Sequence, residues 1–344
     1  MSAQPHAAGP VAVTGATGFV GMHVVRGLHD AGVPVRAVVR PGTRRVERVA
    51  TLRRWGCEVA EADVGDLAAL ERALAGCRAV VHLVAIIRER VGATFDLINR
   101  RGVREVAAAA RAGGVGRVVH LSALGAGPRA PRYLQSKWAG EEELRRSGIP
   151  WVIFRPSFII GPGGGAARQF AAVVRLGAWY PLWLLGVPFR PLAALASVTP
   201  AVPVLGSGQY RSMPVDVRDV VDLVGRALDH PAAVGQTFDV VGPDTLTYDA
   251  ILDEVMSALG VRRWKVHIPL RAARALVREM ARLPSPPITP DEFEALILDN
   301  VGDPGPVQRV FGLTPRPFRE AIRFALAGDA EHPPDGGTGG SRGP

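Results

Sequence analysis

Short apolar runs alternate with amphipathic helical stretches through the first half of the chain, and this alternation restricts the fold more than any other feature. It is the pattern of a parallel sheet with helices on both faces. Strands are predicted at Val11–Val13, Val35–Val39, Glu58–Glu61, Ala79–Leu83 and Arg117–Leu121, with helices at Gly18–Ala31, Arg44–Arg54, Asp66–Ala75 and Phe95–Ala112. These helices stop near Gly32, Gly56, Gly76 and Gly113, where a left-handed cap is wanted. A sixth unit follows, with a helix over Tyr133–Arg146, a stop at Gly148-Ile149-Pro150 and a strand over Trp151–Arg155. The prediction is an α/β fold built on a doubly wound parallel sheet.

Beyond Pro156 the regularity fades. A strand and helix around Met213–Leu228 and helices near Asp249–Leu259 and Leu270–Arg282 suggest a smaller C-terminal α/β domain threaded back onto the sheet edge. The expected division is a flexible stretch 1–10, a first domain 11–160, a second domain 161–329 and a Gly/Pro-rich tail 330–344 with too little apolar surface to pay for ordering. There are no internal repeats.

The length of 344 residues fits two domains, and 47% hydrophobic with 21% charged residues argues against a disordered, fibrous or coiled-coil chain. Two cysteines, Cys57 and Cys77, make neither a disulfide framework nor a CxxC metal pair, so no metal is expected. The first ten residues lack a basic start and an apolar run, which argues against a secretory leader and for the cytoplasm. A net charge of +9 favours anionic partners, but the arginines are scattered without a basic-aromatic platform, so nucleic acid is not expected. Leu176–Phe189 is uncharged, yet it is too short and too proline-broken to span a bilayer. A lid or core segment is the first reading of it, and peripheral contact with the inner face of the membrane through 176–205 is the second.

Gly15-Ala-Thr-Gly18-Phe-Val-Gly21 directly follows the first strand and opens a helix. Glycines there let the backbone approach a pyrophosphate, which the helix N-terminal amides and dipole stabilise. The second strand ends at Arg40, followed by Arg44 and Arg45, where a carboxylate would otherwise grip the ribose of NAD; a cation there suits a 2′-phosphate, so NADP(H) is preferred and NAD(H) is the alternative. Asp63-Val64 ends the third strand and could meet the adenine edge or serve as a turn. Tyr133 and Lys137 stand four apart on a predicted helix, on one face, so that an ammonium lies beside a phenol and favours its anion. Of 41 basic residues only Lys137 and Lys265 are lysine, so a lysine at this position points to a need for a compact ammonium. His230 and His267 have no metal-ligand spacing, and Asp216 and Asp219 near a helix start suit its dipole.

Together with Asn99-x-x-Gly102, HLSALGA, YLQSK, FRPSFIIGPGGG, PVDVRDVVDLV and GQTFDVVGPDTLTYDAIL, these motifs resemble the extended short-chain dehydrogenase/reductase superfamily, that is, the NAD-dependent epimerase/dehydratases, over nearly the whole chain. SALGA, the compact YLQSK and Leu298-Asp-Asn300 are similar to its atypical branch, which includes the NAD(P)H-binding accessory subunit of respiratory complex I and bacterial relatives. The resemblance implies a Rossmann-type domain with a smaller substrate domain. It also implies a cofactor site from Gly15, Thr17, Gly18, Phe19, Val20 and Gly21, from Arg40, Asp63 and Val64, from Leu83, Val84 and Ala85, and from Tyr133, Lys137 and Pro156. Tyr133 would be the acid/base, Lys137 its partner, and a serine would polarise the substrate; Ser122 sits close, while Ala123 is the other register for that position. Three readings follow. One is an oxidoreductase acting on a quinone or other lipid-soluble substrate, and one is a non-catalytic subunit holding NADPH in an assembly. The third is a sugar-nucleotide epimerase or dehydratase drawing on Arg168, Arg211 and Arg218. Paired helices in the dinucleotide domain often dimerise in this superfamily, so a homodimer or larger assembly is a further expectation.

Overall fold

The computed structural model describes residues 9–180, 191, 200–283 and 288–331. Most of the apolar run 176–205 and of the tail 330–344 lies outside the described residues. The chain divides into two compact units, each assembled from separate stretches: Met1–Pro156, Val217–Val241 and Gly302–Thr314 in the first, and Ser157–Asp216, Gly242–Val301 and Pro315–Pro344 in the second.

The first unit contains β1 (Val11–Thr14), α1 (Phe19–Asp30), β2 (Val35–Val39), α2 (Val46–Arg54), β3 (Glu58–Glu61), α3 (Leu67–Leu74) and β4 (Ala79–His82). A π-helical segment Asp96–Arg101 runs into α4 (Gly102–Ala112), and β5 (Arg117–Leu121), α5 (Arg132–Arg146) and β6 (Trp151–Pro156) follow. Later stretches add α6 (Val217–Ala227), β7 (Gln236–Val240) and α7 (Gly305–Phe311). The strands form one seven-stranded sheet in the order β7-β6-β5-β4-β1-β2-β3, every pair parallel. The order reverses between β1 and β4, which places the crevice that binds ligands in such sheets at the carboxyl ends of those strands.

Burial explains the apolar runs. Every residue of β1 and β4 is buried, as a central parallel strand covered on both faces requires. On one face Ala12, Val80, Val118 and Ile153 pack with Leu70, Leu74, Val106 and Leu144 from α3, α4 and α5. Each of those leucines is fully buried and contributes about 1.5–3 kcal/mol. On the other face α1 and α6 approach so closely that a Cβ on Gly27 would lie 2.3 Å from Val221 Cγ1.

Three local expectations are corrected. The fourth helix closes on Gly114, whose φ is +66°, rather than on Gly113. The single helix expected over Phe95–Ala112 is π-helical up to Arg101 and α-helical from Gly102; the wider turn carries buried Asn99, whose amide is bonded outside the helix. The fourth strand ends at His82, one residue early, because Leu83 N–H still reaches Thr14 O at 3.3 Å but makes no further ladder.

The second unit gathers helices Gly165–Leu176, Tyr248–Leu259 and Phe318–Glu331 around Ile160, Phe170, Val202, Val204, Ile251 and Phe318. Thr247 caps the second of these by accepting from Ala250 N–H at 3.2 Å, and Gly260 ends it with φ +65°. Among the described residues no helix is long and apolar enough to cross a membrane.

Candidate dinucleotide and catalytic site

The turn from β1 into α1 is shaped for a ligand that touches backbone. Gly15 adopts φ +72°, and its carbonyl accepts Gly18 N–H at 2.8 Å. A Cβ on Gly21 would sit 2.2 Å from Gly15 O and 2.8 Å from Ala16 O, so only glycine lets the helix start this close to the loop. Gly18 caps α1 with no side chain reaching the first amides, which leaves the helix N-terminus to an anion. Phe19 and Val20 open the helix half-buried, with Phe19 edge-on to His23 at 5.5 Å. Thr17 is buried, and its carbonyl takes hydrogen bonds from Arg45 (2.8 Å) and Arg48 (2.9 Å). Two guanidiniums thus stand against the glycine loop, while Arg40 and Arg44 are exposed beyond β2.

Other expected cofactor residues lie at the carboxyl ends of neighbouring strands. Asp63 Oδ1 accepts Gly65 N–H at 3.0 Å in a turn after β3, and Val64 is buried where a Cβ on Gly102 would meet it at 3.0 Å. Leu83 and Val84 are half-buried after β4, Val84 3.2 Å from where a Gly15 Cβ would project, and Ala85 is exposed. Pro156 ends β6 and accepts Leu124 N–H at 2.9 Å.

Helix α5 carries Tyr133 in its first turn and Lys137 one turn later. Lys137 is 1% exposed, and its Nζ donates to Leu121 O, the last carbonyl of β5, at 2.8 Å. Burial pushes this ammonium down to about 8, with Glu141 pulling the other way. Glu141 is fully buried and receives Arg155 (2.8 and 2.6 Å) and Arg145 (2.9 Å), tying α5 to β6. Tyr133 is half-buried beside Phe95, ring centres 6.2 Å apart, and burial pushes its phenol up to about 12; the expected lowering by the Lys137 ammonium is corrected here, because burial alone governs the phenol. Ser122 N–H donates to Phe154 O at 2.7 Å, whereas its hydroxyl is buried with no hydrogen-bond partner among the described residues. Ala123 is buried beside it.

Several residues here are absent from the expected set. Thr14, His82 and His120 sit in register across β1, β4 and β5, so their side chains share the sheet face that α4 and α5 cover. Thr14 Oγ1 and His82 Nδ1 are 2.7 Å apart, and the two imidazoles stack at 5.2 Å. Burial and the charge of Lys137 hold both neutral, His82 down to about 3. Asn99 pins the loop after β4, exchanging two 2.9 Å bonds with the backbone of Ile86 and donating to Ser136 Oγ. The visible signal was that both apolar runs, AVVH and RVVHL, carry histidine at the same register. In the other unit Arg211 is closed onto Asp299 at 2.8 and 3.0 Å.

A glycine turn at the switch point, open helix amides and a buried ammonium at the end of β5 define a dinucleotide-binding protein. Residues 15–171 match a family described as NAD(P)H-binding. The chain is 31% identical over 316 residues to (4-alkanoyl-5-oxo-2,5-dihydrofuran-3-yl)methyl phosphate reductase of Streptomyces griseus, spanning 90% of this chain and 95% of that one. It is 38% identical over 163 residues to ceramide reductase of Caulobacter vibrioides, a match covering 46% of this chain and only 48% of that protein's length. With the mouse mitochondrial NADH dehydrogenase [ubiquinone] 1 alpha subcomplex subunit 9 it shares 30% identity over 237 residues, 67% of this chain and 56% of the relative. The crystal structure of gox2253 shares the fold, with TM-score 0.71 at 22% identity over 94% of this chain and 98% of the other. The chain belongs to the extended, atypical short-chain dehydrogenase/reductase superfamily.

Proposed function

We propose that the protein is an NADPH-dependent reductase that delivers a hydride to a carbonyl-type group of a lipid-soluble substrate, a quinone or an acyl-chain compound, with Tyr133 supplying the proton. The observation that carries this reading is the placement of Tyr133 and Lys137 on consecutive turns of α5, with Nζ fixed 2.8 Å from the end of β5. The glycine turn fits a bound dinucleotide, because it brings the start of α1 close to the loop with no side chain capping the first amides. Gly15, Gly18 and Gly21 would hold the pyrophosphate, and the guanidiniums beyond β2, with Arg40 foremost, would favour a 2′-phosphate.

The bound nicotinamide supplies the hydride. Tyr133 is protonated at neutral pH because burial disfavours its anion, which suits an acid in the reducing direction: its O–H proton passes to the substrate oxygen as the hydride reaches the carbon. Lys137 then faces a phenolate, and its ammonium stabilises that anion until solvent returns the proton; in the ground state the same Nζ is available to ribose hydroxyls. The Ser122 hydroxyl is a donor with no competing partner among the described residues and would serve the oxygen as charge develops on it. The reductases among the relatives, named for ceramide and an alkanoyl dihydrofuran phosphate, support a substrate with an alkyl chain.

The test is NADPH oxidation against short-chain quinones and long-chain ketones by the purified chain and by Tyr133→Phe. Turnover is expected to fall about 10²–10⁴-fold at saturating NADPH; equal rates in the two proteins would refute the assignment. The similarity to the complex I subunit favours a second reading, a holder of NADPH without turnover. Nucleotide that co-purifies, exchanges slowly and is oxidised by none of these acceptors would select it.

A further inference from the structure

We infer that the second unit docks on an anionic membrane surface through one face of a small parallel sheet and the arginine-bearing helix that follows it. The inference stands on that unit alone and holds whether or not the dinucleotide site turns over. Strands Ala201–Leu205 and Trp264–Ile268 pair in parallel, Ala201 opposite Trp264 through Leu205 opposite Ile268. Alternation sorts their side chains. Val202 and Val204 are fully buried in the core, and on the same side Lys265 reaches Asp253 at 2.8 Å and His267 reaches Asp249 at 3.3 Å, both on helix Tyr248–Leu259. The opposite side consists of Ala201, Pro203, Leu205, Trp264, Val266 and Ile268, with no polar side chain.

Helix Leu270–Met280 covers one end of that side, where Ala273 and Val277 pack with Leu205, Ile268 and Phe293. Among the described residues nothing covers the other end: Trp264 is 75% exposed and Val266 51%. Parallel sheets are ordinarily covered on both faces, and an open face is ordinarily polar. Leu276 on the helix and Leu283 in the turn that follows it are exposed as well.

Charge names the occupant. Between Arg262 and Leu283 there are seven basic residues and one acidic one, Glu279. Lys265, Arg274 and Arg282 are engaged with Asp253, Glu294 and Glu279, and Arg263 donates to Arg175 O. Arg262, Arg271 and Arg278 are exposed. A second copy would bring the same cations face to face, which disfavours self-pairing. An exposed tryptophan with aliphatic side chains and arginines is the composition that settles at the headgroup boundary of anionic lipid.

The experiment is co-sedimentation of the full chain with vesicles of phosphatidylcholine alone and of phosphatidylcholine mixed with phosphatidylglycerol. Binding to the mixed vesicles, weak binding to the neutral ones and release by salt are expected. Arg271→Glu with Arg278→Glu should weaken binding at least tenfold, at roughly fivefold per cation removed. Trp264→Ser with Val266→Ser should abolish it at moderate salt, and all four substitutions are at exposed positions that leave the core intact. Val46→Ser, an exposed valine of the other unit, should bind as the parent does. Equal binding to both vesicle types, no binding to either, or binding unaltered by the Trp264/Val266 pair would overturn the inference. So would a stable dimer in sedimentation velocity that the same pair dissolves, because the face would then be covered by a second copy.

Discussion

Lys137 should lose its proton near pH 8, and this can be read directly because the chain contains one other lysine, Lys265. Burial takes the ammonium from its ordinary 10.5 down to about 8, so at pH 7 about nine molecules in ten keep the charge. In the unfolded chain the amine holds its proton up to about pH 10.5, while in the native protein it releases it near 8. Between those values the unfolded state binds more protons, so stability rises with pH across that window, and below 8, where both states are protonated, this group leaves stability level. Two and a half pH units at ~1.4 kcal/mol each amount to about 3 kcal/mol. Tyr133 acts with the opposite sign: its native phenol keeps the proton up to about 12 and its unfolded one loses it near 10, so stability declines above pH 10. Burial moves Tyr180 and Tyr248 in the same direction. Burial also raises the Cys57 and Cys77 thiols from 9.0, so the cysteines and tyrosines oppose the Lys137 contribution from about pH 9 upward. Isotope-labelled lysine gives two side-chain signals by NMR, and the one missing from Lys137→Arg is Lys137. A midpoint for that signal at or above pH 10 would refute the argument, since it would mean that water solvates Nζ and that burial is not the controlling force.

Further outcomes follow from the same geometry. If Lys137 must be charged for hydride transfer, kcat/KM falls about tenfold per pH unit above pH 8; a profile flat to pH 10 would contradict it. Gly21→Ala forces a methyl group to within 2.2 Å of Gly15 O, at a cost of about 1–3 kcal/mol, and thermal unfolding should show a lower Tm that NADPH no longer raises. Glu141→Gln leaves Arg155 and Arg145 without their buried anion and should destabilise by about 3–5 kcal/mol in denaturant titration; a loss under about 1 kcal/mol would mean that water takes over the carboxylate's role.

The sheet was legible where the signal is local. A central parallel strand has two buried faces, so β1 and β4 begin as the apolar runs VAV and AVV, and the glycine turn is readable because the positive φ at Gly15 and the 2.2 Å approach at Gly21 call for glycine. The spacing of Tyr133 and Lys137, one turn apart on α5, was legible for the same reason, since helix periodicity alone sets it. The seventh strand was not. Gln236–Val240 reads QTFDV, with burial only at Phe238 and Val240, so as an edge strand it carries a weak apolar signal, and its neighbour β6 lies some eighty residues earlier in the chain. Phe238 is fixed there by Phe154 and Phe311, with ring centres 5.9 and 5.0 Å away, and that cluster comes from three distant stretches.

The histidine row shows why the chemistry of the site exceeds what spacing reveals. Thr14, His82 and His120 belong to three strands, and nothing in any one strand announces that they will lie side by side. Once they do, burial removes the option of charge on either imidazole. A protonated ring there would add a second cation next to Lys137 and drive its proton off well below pH 8. The neutral row therefore lets Lys137 remain the charged group on that side of the sheet, held by the Leu121 carbonyl and favoured by Glu141. Ser122, one residue past the same strand, is held by its backbone to Phe154 while its hydroxyl stays uncommitted. The end of β5 thus brings together a backbone-anchored ammonium and an uncommitted hydroxyl, with uncharged imidazoles beneath the ammonium. An arginine at 137 would keep its charge at any working pH and bring five N–H donors to a buried position where the present hydrogen bond is to one carbonyl, that of Leu121.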